Sequence, residues 1–134
     1  MNPFKFLLGS AQLPAQLRSS LEPEGISFLA EGLTGSVNYR NYKAPGKRYG
    51  VAKQGTAGAV AISSKRLVVW VSRGAYIDIP LAMVGSAVRA SSDKPNQVSF
   101  RYEAGQFRPE TSGKVEIRLN TPQAAQIMNL LNSV

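Results

Sequence analysis

Leu13, Leu17 and Leu21 recur every four residues in QLPAQLRSSL. That single stripe predicts a short helix over 12–21, with Pro14 in its first turn and GluProGluGly at 22–25 stopping it. The pattern then changes period. ISFLAEGLTGSVNYRNY is rich in strand-forming residues but interrupted by Gly32 and Gly35, which reads as two strand pieces or one strand bent at a bulge. Pro45 and Gly46 mark a turn in KAPGKRYG, and VAKQGTAG at 51–58 reads as flexible. GAVAIS at 58–63 and RLVVWVS at 66–72 are apolar runs joined by Ser64 and Lys65, a hairpin signature. AYIDI at 75–79 alternates, Pro80 ends it, and MVGSAVRA at 83–90 is a less regular strand. SSDKPN at 91–96 is a turn cluster. QVSFRYE at 97–103 places Val98, Phe100 and Tyr102 on one face. KVEIRL at 114–119 puts Val115, Ile117 and Leu119 inward and Lys114, Glu116 and Arg118 outward. Finally Thr121 and Pro122 suit a helix start, and Ala124, Ile127, Met128 and Leu131 fall at i, i+3, i+4 and i+7.

These elements predict an α+β, mainly β chain: a partly open barrel of about seven antiparallel strands with a C-terminal capping helix. Residues 1–24 form an N-terminal segment carrying the short helix, and residues 25–134 form the domain. With 134 residues and 43% hydrophobic positions, the chain can bury roughly two-thirds of its unfolded surface. Cysteine and histidine are both absent. That excludes disulfides, thiol nucleophiles, imidazole bases and Cys/His metal sites. Glu22 with Glu24, and Glu103 with Glu110, are too isolated for an acid–base pair. SSDK at 91–94 matches Ser-x-x-Lys formally, but Pro95 bars the helix that this chemistry needs. No catalytic role, cofactor or metal is expected. The apolar run Phe6–Leu8 is too short for a secretion signal, and no run could span a bilayer. The expected location is cytoplasmic, with peripheral docking on the inner membrane face as a variant through Phe4, Phe6, Leu7 and Leu8.

Charge changes the picture most. Sixteen basic residues oppose eight acidic ones, a formal +8. No acid lies between Glu31 and Asp78, whereas Arg40, Lys43, Lys47, Arg48, Lys53, Lys65, Arg66 and Arg73 all do. The rest of the chain is balanced. A field of one sign attracts acidic lipid, acidic protein or nucleic acid. The segment YRNYKAPGKRYG interleaves four of these cations with Tyr39, Tyr42 and Tyr49, combining charge with flat amphipathic contact area. The bland alternative is a hairpin whose tyrosines cover the sheet and whose lysines are solvated. Trp70, mid-strand among valines, is expected to pack rather than to stack on a ligand.

Two segments, AVAISSKRLVVW and YIDIPLAMVGSAV, carry a resemblance. Ser63, Ser64, Lys65, Arg66 and Leu67 fit a strand–turn–strand pattern, and Ile79, Pro80, Leu81, Val84 and Val88 fit a later one. Over roughly residues 25–134 the chain resembles the pleckstrin-homology-like superfold, in particular GRAM-like and bacterial PH-type domains. The resemblance implies a binding scaffold rather than an enzyme, engaging acidic lipid or protein through basic loops. The familiar lipid-binding spacing of Lys followed by Arg-x-Arg is absent, so it implies a general anionic site. The expected function is a non-catalytic binding module for an acidic lipid surface or acidic protein. The runner-up is an interaction or assembly module without a small ligand, with homo-oligomers among its forms. Nucleic-acid binding ranks lower, because no reading helix or recognition motif is present.

Overall fold

The computed structural model describes residues 12–71, 76–107 and 109–132. Among them the chain forms helix α1 (Ala15–Leu21) and strands β1 (Ile26–Ala44), β2 (Lys47–Ser63), β3 (Arg66–Val71) and β4 (Tyr76–Pro80). Strands β5 (Arg89–Lys94), β6 (Gln97–Glu103) and β7 (Ser112–Asn120) follow, then helix α2 (Ala124–Asn132). The strands make one antiparallel sheet in the order β4-β3-β2-β1-β7-β6-β5. It curls into a half-barrel. The expected mainly β class, strand number and C-terminal helix are all present.

The curl has a local cause. Phe28 and Ala30 point into the core, and after a register shift between Ala30 and Leu33 the inward set becomes Val37 and Tyr39. One extra residue has therefore exchanged the faces of β1, with Gly32 at φ +72° in the bulge. A second irregularity lies between Arg40 and Lys43 against β7, where Asn41 takes φ +52°. It brings Tyr42 to the same side as Tyr39, with ring centroids 4.9 Å apart.

The region expected to be flexible, 51–58, is strand: β2 runs unbroken for 17 residues, and only Pro45 and Gly46 turn between it and β1. Long pairing with β1 satisfies the backbone groups of every second residue, which outweighs its poor strand propensity. The expected strand at 83–90 is also corrected. A single 3-10 turn covers Leu81–Met83, Val84 meets Val88 in an isolated bridge, and β5 begins at Arg89.

Two apolar layers cover the two faces. Inside the curl, Phe100, Ile117, Leu119, Val60, Ile77 and Val37 are fully buried, and Ala124, Ile127 and Leu131 of α2 join them. The helix covers β5 and β6 at one end of the curl, which buries the stripe that a helix this short cannot keep in water alone. On the opposite face Leu13, Leu17 and Leu21 pack on Ala59, Ala61 and Val68, with Leu29 and Trp70 beside them. Both faces are thus apolar near β2 and β3, which explains why GAVAIS and RLVVW read as runs without alternation.

Candidate functional site

Strand register determines which charges meet. On β7, Val115, Ile117 and Leu119 are buried, so Lys114, Glu116 and Arg118 stand on the outer face, the face that also carries α1. The cross-strand partners share that face. One row reads Lys53, Asn38, Glu116, Arg101 and Arg89 across β2, β1, β7, β6 and β5. At about 4.8 Å per strand it spans roughly 19 Å. The adjacent row reads Val51, Arg40, Lys114 and Glu103. The row on the other side holds Ser36, Arg118, Ser99 and Ser91. The first two of these rows and Arg118 border an open groove of about 880 Å³, lined by six cations (Arg40, Lys53, Arg89, Arg101, Lys114, Arg118), by two carboxylates, Glu103 and Glu116, and by Ala52, Tyr39, Val115 and Tyr102 from the row between them.

Its centre is braced. Glu116 accepts hydrogen bonds from Arg101 and, at 2.6 Å, from Arg118 Nε. Asp93 lies 3.6 Å from Arg101. Burial pushes the Glu116 carboxyl up, but the two arginines outweigh it and hold it below the usual carboxylate range. The same partnership raises Arg101, first through its hydrogen bond to Glu116. Arg40, Lys53, Arg89 and Lys114 have no ion pair among the described residues. Arg89 stands directly opposite Arg101, and like charges so placed cost stability unless a counter-charge relieves them. Val51, 81% exposed, lines the groove together with Ala52, Ala87 and Val115.

Of the eight cations singled out in the sequence, the fold places Arg40 and Lys53 in this groove. Lys43 and Arg48 face each other across the β1–β2 ladder nearer the hairpin turn, and Lys47 pairs with Ala44. Lys65 and Arg66 lie at the other end of β2, whose 17 residues put roughly 50 Å of strand between them and the hairpin turn. Arg73 lies outside the described residues, as do Phe4, Lys5, Phe6, Leu7 and Leu8. Tyr39 and Tyr42 are half-buried against the core, Tyr39 also lines the groove whereas Tyr42 does not, and Tyr49 pairs with Tyr42 in the ladder. Arg89, Arg101, Lys114 and Arg118 went unread. Strict alternation in KVEIRL already marked Lys114 and Arg118 as outward. The missing information was that β7 lies beside β1.

Arg66 serves another purpose. Its guanidinium donates to Asp78 at 2.7 Å, to Ser20 Oγ at 2.7 Å and to Glu24 at 3.2 Å. Ser63 Oγ donates to Glu24 at 2.7 Å and accepts the Lys65 and Arg66 amides at 3.1 Å each. This cluster ties the end of α1 to the β2–β3 turn and to β4. The Ser63 hydrogen bond, with Arg66 beside it, holds the Glu24 carboxyl below its usual range. Glu24 and Glu116 are both depressed in the fold, so their contribution is present above the ordinary value of 4.5 and is lost as pH falls through the folded values. The urea midpoint is therefore expected to drop as pH falls below the ordinary carboxylate value of 4.5, and Glu116→Gln to flatten that drop. Equal slopes in variant and parent would contradict it.

Among the described residues no group of acidic side chains is arranged to hold a metal ion, and no helix is long and apolar enough to cross a membrane. Compared with known proteins, the chain matches no family model, no curated protein and no solved structure.

Proposed function

We propose that this chain is a non-catalytic binding module of pleckstrin-homology-like type that engages an acidic protein or acidic lipid surface with the outer face of its sheet. A seven-stranded antiparallel half-barrel with a C-terminal helix is compatible with that superfold. The observation that carries the reading is the cross-strand register. It brings together Lys53, Arg40, Lys114, Arg101, Arg118 and Arg89 from five strands, against Glu103, Glu116 and, beside Arg101, Asp93. Lys53, Arg40, Lys114 and Arg89 have no ion pair among the described residues, and an anionic partner would supply their counter-charge. The reading places recognition on the sheet face rather than on the tyrosine-bearing hairpin.

Each Lys or Arg near an anionic surface contributes about 1 kcal/mol, and about 1.4 kcal/mol is tenfold in affinity. Reversing both ends of the row with Lys53→Glu and Arg89→Glu should weaken binding to polyglutamate, or to phosphatidylserine-containing vesicles, by about tenfold or more at low salt. Both side chains are exposed, so the fold should survive, which far-UV circular dichroism checks. Unchanged binding by the double variant, or equal binding to neutral vesicles, would sink the reading.

A further inference from the structure

β2 is 17 residues long, but β3 pairs with it only over Gly58–Ile62. Over 48–55, before the buried Thr56 and Ala57, the described residues put no strand on the side away from β1. In an antiparallel ladder every second residue turns its N–H and C=O away from its partner, so this stretch presents a row of alternating donors and acceptors. Long edges are normally blunted with proline, bulges or charge. Here there is no proline, β2 keeps one constant register against β1 from Lys47 to Gly58, and Arg48 and Lys53 are the only charged residues. Val51, Ala52 and Lys53 belong both to this edge and to the groove.

We propose that the edge of β2 over Arg48–Gly55 receives an extended acidic peptide segment as an added strand, whose outward carboxylates meet Lys53 and Arg40. This rests on the reading of the groove as an anion-binding face and names its occupant. Three arguments favour a peptide. Only a polypeptide backbone matches an alternating row of N–H and C=O groups. The cations beside that row select for acidic side chains. A second copy of the chain, itself at +8, would set its own Arg48 and Lys53 against the same charges. Lipid headgroups and nucleic acid would satisfy the cations and leave the edge unpaired.

The test uses a capped peptide of alternating glutamate and valine and two isomers of it, one N-methylated on every glutamate and one on every valine. An added strand points only one of these amide sets at the edge. One isomer should therefore bind at least tenfold more weakly than the parent by fluorescence anisotropy, while the other keeps its affinity. The parent peptide should also slow amide exchange within Arg48–Gly55 by about tenfold. Equal binding of all three peptides would overturn the added strand. If Lys53→Glu with Arg89→Glu still weakened polyglutamate binding in that case, the anionic face itself would stand. Absence of binding to the peptides, polyglutamate and acidic vesicles alike would remove both. Exchange protection of 48–55 that rises with protein concentration alone, with a dimer in light scattering, would assign the edge to a second copy and overturn the proposal.

Discussion

Phe100→Ala is expected to lower the free energy of unfolding by about 3–5 kcal/mol. Phe100 is the largest fully buried side chain, at 0% exposure, and stands opposite Ala90 on β5 and Ile117 on β7. Truncation removes a ring from the layer that α2 closes, and strands held by main-chain pairing on both sides cannot collapse into the space. A domain of ordinary stability has about 5–15 kcal/mol in total, so roughly a fifth or more would be lost. The urea midpoint at neutral pH measures it. Phe100→Leu, which keeps most of the volume, should cost clearly less. A loss under about 1 kcal/mol for the alanine variant would show that the ring does not sit in a tightly packed layer.

Gly35→Ala is the second large effect, and it acts through the backbone. A Cβ at Gly35 would lie 1.8 Å from the carbonyl oxygen of Arg118 and 3.0 Å from the Cα of Leu119. Neither atom belongs to a side chain that could swing aside, so β1 must separate from β7. The expected cost is about 3 kcal/mol, the upper end for overpacking. The same separation parts Lys53 and Arg40 from Lys114 and Arg101, so affinity for polyglutamate should fall with stability. Gly55→Ala is the control. It stands one row away with nothing within 4 Å of its added carbon, and it should change stability by less than about 1 kcal/mol. Equal midpoints for the two variants would refute the close approach of β1 to β7.

The sequence was informative where one face is wet and one is dry. Alternation in KVEIRL, QVSFRYE and AYIDI located β7, β6 and β4 and their inward residues, and the helical spacing of Ala124, Ile127 and Leu131 located α2. The bulge near Gly32 was legible too, because glycine inside a strand pattern has few other uses. Reading was poorer for 51–58, where glycines and short side chains conceal a strand held by its neighbour rather than by its own propensity. The site was only partly legible. Arg40 and Lys53 were found because they sit in a stretch without acids. The four cations completing the groove come from β5, β6 and β7, and their proximity depends on pairing between β1 and β7, which leaves no local trace. Arg66 illustrates the converse. Its neighbours in sequence are basic, yet its neighbours in space are Glu24 and Asp78.

The central position of β1 has a kinetic consequence. Thr34 and Asn120, hydrogen-bonded at 3.3 Å, are 86 residues apart along the chain, whereas the β1–β2 and β5–β6 hairpins close through short local loops. Nucleating contacts of such long range arrive late and slow the search. The molecule should therefore assemble as two hairpin-built halves that wait for one distant seam. While they wait, the uncovered flank of β1 is the place where a stray chain would add.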